Sequence, residues 1–164
     1  MTILVKNKHT LQIDEFKFRC CIGKNGSTRY KKEGDKKTPK GTFEIENLYF
    51  RKDRRKKPST FLKCIEIKKD MGWCDDIRFP KKYNKFFKIN KKIKHEKLKR
   101  KDYKYDLLIP IKYNFKKPIK GLGSCIFIHL TRDYKPTAGC IALKEKDFLI
   151  MLKLIKKNSK IKIY

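Results

Sequence analysis

Ser124-Cys125-Ile126-Phe127-Ile128-His129-Leu130 and, beyond the polar loop Thr131–Gly139, Cys140-Ile141-Ala142-Leu143 decide how this chain folds. Both are short, dense in apolar and β-branched residues, and suited to strands of a buried sheet. Tyr105–Tyr113 is a third such run, and Gly121 and Gly123 mark a tight connection between it and Ser124. Downstream, Phe148, Met151, Leu152 and Ile155 form an apolar stripe that predicts one helix over Lys144–Lys157, stopped by Asn158 and Ser159.

Working outward, Thr2–Val5, Thr10–Ile13, Phe16–Ile22, Thr42–Ile45, Phe61–Ile67 and Ile161–Tyr164 read as further strands. Gly23–Gly41 and Arg51–Pro58 read as polar loops, and Gly72–Asp76 as an aromatic and acidic turn. Tyr83–Asp102 is basic and irregular, with a short helix expected around His95–Arg100. The glycines of the first loop lack the Gly-Lys-Ser/Thr ending of a phosphate-binding loop. Many short strands with a single C-terminal helix predict a compact, mostly β domain, a β-sandwich or closed mixed sheet. One domain over residues 1–164 is expected from the length.

Lys and Arg total 46 against 17 acidic residues, a formal charge of +29. Such a charge attracts any polyanion, and contacts with anionic polymers are expected. The excess is nearly all lysine, however, and spreads along the chain. Arginine, the better reader of phosphates and base edges, is scarce, so no specific nucleic-acid surface is expected. The hydrophobic fraction is 39%, but its residues cluster into runs long enough to build a core. Met1–Asp14 holds no apolar stretch of signal-peptide length, no segment reaches the length of a bilayer span, and the chain reads as soluble and monomeric.

Of six cysteines, none forms a Cys-x-x-Cys pair, and three histidines give little support to a zinc finger. Most of the thiols are expected to be buried and inert. A zinc site from Cys74, His95, His129 and Cys140 is a remote alternative, because these residues lack ligand spacing. No metal or organic cofactor is expected.

One pair carries chemistry. His129 ends an apolar strand and Cys140 returns after a loop, so an imidazole within about 3 Å of a thiol would take its proton and leave a nucleophile for a carbonyl carbon. Gly139 would let the chain approach a substrate, and the amides near Cys140 could receive a developing oxyanion. The plain alternative is a strand histidine and one more core thiol.

His129-Leu130-Thr131-Arg132-Asp133-Tyr134-Lys135-Pro136-Thr137-Ala138-Gly139-Cys140-Ile141-Ala142-Leu143 resembles the catalytic signature of the YkuD-type L,D-transpeptidase domain. Lys32–Phe43 resembles the early loop and following strand of that family. Tyr49–Arg54, Gly72–Asp76, Tyr83-Asn84, Tyr105-Asp106 and Gly123-Ser124 resemble one branch of it, in order along nearly the whole chain. Where many members carry His or Arg before the Gly-Cys pair and Arg two residues after the cysteine, this chain has Ala138 and Ala142. Thr137 stands where Ser is common.

The resemblance implies a peptidoglycan L,D-transpeptidase with a YkuD-like fold. Cys140 would be acylated by a stem tetrapeptide with release of D-alanine, His129 would move the protons, and the acyl group would pass to an amine. It implies stem peptides as partners and the periplasm or cell envelope as location. Gly139 and the Cys140 amide are the oxyanion candidates. Thr137 and Ala138 flank the substrate, His95 and Glu96 would line the cleft or orient His129, and Trp73, Asp75 and Asp76 would cover it or hold the cationic end of a stem. Hydrolysis by the same cysteine, as an L,D-carboxypeptidase or endopeptidase, and a noncatalytic basic wall-binding module are the competing readings.

Overall fold

A computed structural model describes residues 1–164. In chain order the strands are β1 (Thr2–Lys6), β2 (Thr10–Ile13), β3 (Phe16–Cys21), β4 (Ser27–Thr28), β5 (Thr38–Pro39), β6 (Gly41–Glu44), β7 (Leu48–Phe50) and β8 (Cys64–Glu66). Then come β9 (Met71–Cys74), β10 (Phe86–Lys88), β11 (His95–Lys97), β12 (Leu107–Pro110), β13 (Phe127–Leu130), β14 (Ile141–Leu143), the helix α1 (Glu145–Leu154) and β15 (Lys160–Ile163). The fold is mostly β with one C-terminal helix, as expected. Several short strands stand where the sequence reading had none, and two of them frame the site. Met71–Cys74 is the central strand of a small sheet rather than a turn, and His95–Lys97 is a strand beside it rather than a helix.

Ten strands form one sheet in the order β6-β15-β1-β2-β3-β14-β13-β12-β7-β8. Its first and last segments meet early: β1 runs parallel to β15, pairing Ile3 with Ile161 and Val5 with Ile163. A bridge between Ile45 and Ile111 ties the chain after β6 back to β12, so the twisted sheet curls on itself into a half-barrel.

The alternation of side chains along β12, β13 and β14 sorts them onto two faces. Leu107, Ile109, Ile128, Leu130, Ile141 and Leu143 enter the main core, where Phe148, Met151 and Leu152 of α1 join them. Leu108, Phe127 and Cys140 enter a second cluster with Trp73, Leu98 and Tyr105, under the small sheet β10-β9-β11. Both faces of these strands are thus buried, which explains their near-continuous apolar sequence. At about 1.5–3 kcal/mol per large buried side chain, this double cover holds β12–β14 firmly in place.

Helix α1 is shorter than the predicted Lys144–Lys157, ending where Ile155 turns extended with its N–H on the Met151 carbonyl. Glu145 and Asp147 in its first turn and Lys153 in its last suit the helix dipole. All six cysteines are free thiols, with Cys20, Cys21, Cys74 and Cys140 buried. No helix is long and apolar enough to cross a membrane.

Candidate active site

β13 and β14 run parallel, with Ile128 opposite Ile141 and His129 opposite Ala142. Continuing that register by one residue sets Cys140 opposite Phe127, two residues along from His129 on the same face. With strands about 4.8 Å apart and a rise of about 3.3 Å per residue, the two backbones are separated by roughly 8 Å, a span that an imidazole and a thiol can bridge. Cys140 and His129 both line one pocket of ≈ 480 Å³, together with Glu96, Arg100, Lys104 and Tyr105.

No hydrogen bond joins the thiol to the imidazole here. The Cys140 thiol donates to the Cys125 carbonyl at 3.2 Å and its sulfur accepts the Phe127 N–H at 3.4 Å. His129 Nδ1 lies 2.9 Å from the Leu130 carbonyl. A carbonyl oxygen only accepts, so Nδ1 carries the proton and Nε2 keeps its lone pair, without a protein partner. Catalytic hydrogen bonds are often long before substrate is bound, so this geometry does not oppose proton transfer within the pair.

Burial sets the resting charges. Cys140 is 9% exposed and His129 7%. Desolvation pushes the Cys140 thiol up to about 12. It pushes His129 down to about 4, with the positive charges of Lys104 and Arg100 acting in the same direction. The free protein therefore holds a neutral thiol and a neutral imidazole.

The loop carrying Cys140 is fixed by its own polar atoms. Thr137 Oγ1 donates to the Cys140 carbonyl at 2.6 Å and accepts the Gly139 N–H at 3.1 Å. Thr38, from the early loop, donates to the Gly139 carbonyl at 2.9 Å. Gly139 has φ +143, and a Cβ there would meet the Lys37 carbonyl oxygen at 2.9 Å. Its glycine is thus demanded by the close passage of the Lys36–Pro39 backbone. With the Gly139 amide spent on Thr137, the Cys140 amide is the one of the two oxyanion candidates that has no acceptor within the protein.

A second pocket of ≈ 230 Å³ is also lined by Cys140, with Asp75, Glu96, Tyr105, Cys125, Ala138 and Gly139 among others. Ala138, Glu96 and Tyr105 belong to both pockets, and Thr137 to the larger. Glu96 is held by Arg100 Nη1 at 2.6 Å. Asp75 faces the smaller pocket with Oδ1 buried and unpartnered, while Oδ2 lies 3.4 Å from Lys94 Nζ.

Three expected residues lie outside both pockets. Asp76 is buried and accepts the Arg78 guanidinium and the Arg78 and Lys94 N–H groups, contacts that hold its carboxyl well below the usual range. Trp73 packs edge-on against Phe127 at 5.3 Å and donates its indole N–H to Asn84. His95 bonds the Ile93 carbonyl through Nδ1 and packs on Phe87, with Nε2 buried and unpartnered. Cys74, His95, His129 and Cys140 do not gather into a metal-holding group.

Arg100, Lys104 and Tyr105 line the larger pocket although the sequence reading gave them no role there. Arg100 was hidden inside an expected helix. Tyr105 stood at the head of a long apolar run, where a core role was the natural reading.

Residues 1–163 match the family YkuD, described as the L,D-transpeptidase catalytic domain. No curated protein and no solved structure matches the chain.

Proposed function

Because the chain belongs to the YkuD family of L,D-transpeptidase catalytic domains, we propose that it acylates Cys140 with a peptidoglycan stem tetrapeptide, releases D-alanine and passes the acyl group to an amine. The chain is a YkuD-type, peptidoglycan-remodelling catalytic domain. Acylation at Cys140 is supported by the placement of its thiol and the His129 imidazole on one face of adjacent parallel strands, lining one pocket.

In this mechanism His129 Nε2 takes the thiol proton as the sulfur attacks the carbonyl carbon of the stem peptide. The Cys140 amide receives the oxygen. When the C–N bond breaks, the proton passes from Nε2 to the departing amine of D-alanine. Attack by a second stem's amine then returns the thiol, with the leaving sulfur recovering a proton through His129. The chemistry asks for no group beyond these side chains. The fixed Nδ1 contact with Leu130 holds the ring in the tautomer this sequence of steps requires.

A substrate in the periplasm or cell envelope follows from the same reading, as does contact of the basic surface with anionic wall polymers. The test is intact-mass measurement after incubation with a disaccharide tetrapeptide muropeptide, comparing wild type with C140A. The expected result is an acyl adduct and D-alanine release in wild type alone; equal release by C140A would overturn the mechanism. Adding an amine acceptor distinguishes transfer, which yields a crosslinked product, from hydrolysis by the same cysteine.

A further inference from the structure

We propose that this domain docks on an anionic phospholipid surface through the basic loop Lys52–Lys57 and the side chain of Phe61, away from the acyl-transfer site. Five of the six residues Lys52–Lys57 are cationic, the densest such run in the chain. They wall a groove of ≈ 760 Å³ over Phe50 of β7 and Cys64 of β8. None of the residues lining it belongs to either pocket at Cys140. Its one acid, Glu66, is taken by Lys52 at 3.5 Å.

The loop is held in one shape. The Arg54 and Arg55 N–H groups both donate to the Arg51 carbonyl at 2.9 Å. The buried Arg51 guanidinium binds Asp53 at 2.7 Å and the Arg100 carbonyl at 2.6 Å. The buried Asp106 carboxylate takes Arg54 at 3.0 Å and Arg55 at 3.3 Å, and Glu145 takes Arg55 as well. Burying charge is costly, and a loop that only met water would need no such anchors. The arginines fix the loop, while Lys56 and Lys57 stand exposed without an acidic partner. Ammonium groups on a loop already ordered can meet phosphate oxygens with little further loss of freedom.

Phe61 favours a membrane over a soluble polyanion. It is 69% exposed, more than any other phenylalanine of the chain. Its turn is fixed, because the Leu62 N–H donates to Thr60 Oγ1 at 3.2 Å and Leu62 enters the main core. Lys57 and Lys63 stand exposed on either side of it in the sequence. A ring projecting between ammonium groups suits the bilayer interface, where it enters the acyl boundary as the lysines reach headgroup phosphates. A polymer in water offers the phosphates and nothing for the ring.

The test sediments the full chain with vesicles of phosphatidylcholine alone, and of phosphatidylcholine mixed equally with phosphatidylglycerol, at physiological salt. Inorganic polyphosphate serves as the soluble polyanion in a parallel binding assay. Wild type is expected to bind the mixed vesicles and not the neutral ones. A lysine beside an anionic surface strengthens binding about fivefold, so Lys56→Glu with Lys57→Glu should weaken it by at least about 25-fold. Phe61→Ser should weaken vesicle binding by about three- to tenfold and leave polyphosphate binding within about twofold. Lys91→Glu with Lys92→Glu, an exposed pair in the β10–β11 connection, should keep vesicle binding within about threefold of wild type. Equal losses from the two lysine pairs would reduce the effect to net charge and overturn the proposal. So would vesicle binding untouched by Phe61→Ser, which would make the groove a site for any polyanion. The substituted side chains are exposed and form no ion pair, so each variant is expected to melt with wild type.

Discussion

Thr38 and Gly139 are joined by a hydrogen bond of 2.9 Å, from the threonine hydroxyl to the glycine carbonyl. The same hydroxyl accepts the Gly23 N–H at 2.9 Å, and Thr38 is fully buried. One side chain of the early loop therefore satisfies two backbone groups, one of them next to the candidate nucleophile. Thr38→Val keeps the shape and strands both groups. At about 1–3 kcal/mol for each buried unpaired group, and about 2–4 °C per kcal/mol in a chain of this size, the melting temperature should drop by roughly 4–24 °C. Acylation of Cys140 should slow with it. A melting curve indistinguishable from wild type would show that the hydroxyl is dispensable.

The acid limb of acylation should sit near pH 4. His129 acts as a base only when neutral, and burial has pushed it down to about 4. Activity should thus hold level as pH falls through 6.5 and fail only as the ring gains its proton lower down. A kcat/KM profile with its acid midpoint at 6.5 would mean that the imidazole is far better solvated than its surroundings indicate.

The same shift bears on folding. In the unfolded chain His129 titrates near 6.5, so between about pH 6.5 and 4 the unfolded state binds the extra proton and stability falls as pH falls. The loss from this one ring is about 3 kcal/mol, from about 1.4 kcal/mol per unit. Carboxylates held low by their partners, among them Asp35 and Asp102, lose their contribution only at more acid pH. His129→Gln should remove most of the loss between pH 7 and 4.5. Urea midpoints measured at both values decide it, and an equal loss in the two proteins would contradict the assignment.

Glu96 should hold the thiol back. Burial is the main reason the Cys140 thiol is pushed up to about 12, and the Glu96 carboxylate adds to it. Glu96→Gln removes a negative charge from the pocket wall, so the thiolate fraction at pH 8 should rise, and iodoacetamide alkylation of Cys140 with it, by several-fold. A rate unchanged or lowered would show that the sulfur does not sense that carboxylate.

The sequence disclosed those parts of the structure that local pattern controls. β12, β13 and α1 carry dense apolar runs or a clear helical stripe, and each forms close to its expected place. β9 was obscured because Gly72 and the flanking Asp75 and Asp76 look like turn chemistry. Yet Gly72 is there for close packing, since a Cβ would meet Ile89, His95 and Phe87 at 3.1–3.2 Å. β11 has no apolar alternation because one of its edges is open and Glu96 faces the pockets, so pairing with β9 rather than composition makes it a strand. The pairing of β1 with β15 depends on residues at opposite ends of the chain, which no local window can join.

The site was legible to the same extent. His129, Cys140, Gly139, Thr137, Ala138, Glu96 and Asp75 reach the pockets, while Trp73, Asp76 and His95 support the small sheet from outside them. Type and spacing cannot tell a pocket-facing Asp75 from a capped Asp76 one residue later. That difference is made by Arg78 and by the Lys94 backbone.

The loop between β13 and β14 exposes Arg132 to solvent while both its ends are anchored in paired strands. Cutting the chain after Arg132 would assign the imidazole to one polypeptide and the sulfur to another. The shorter piece would carry α1 and β15 and would be retained by β14 between β3 and β13, and by β15 between β1 and β6. Two inert fragments that recover acyl transfer on mixing would make catalysis a direct gauge of sheet assembly, and this protein a natural candidate for a split reporter.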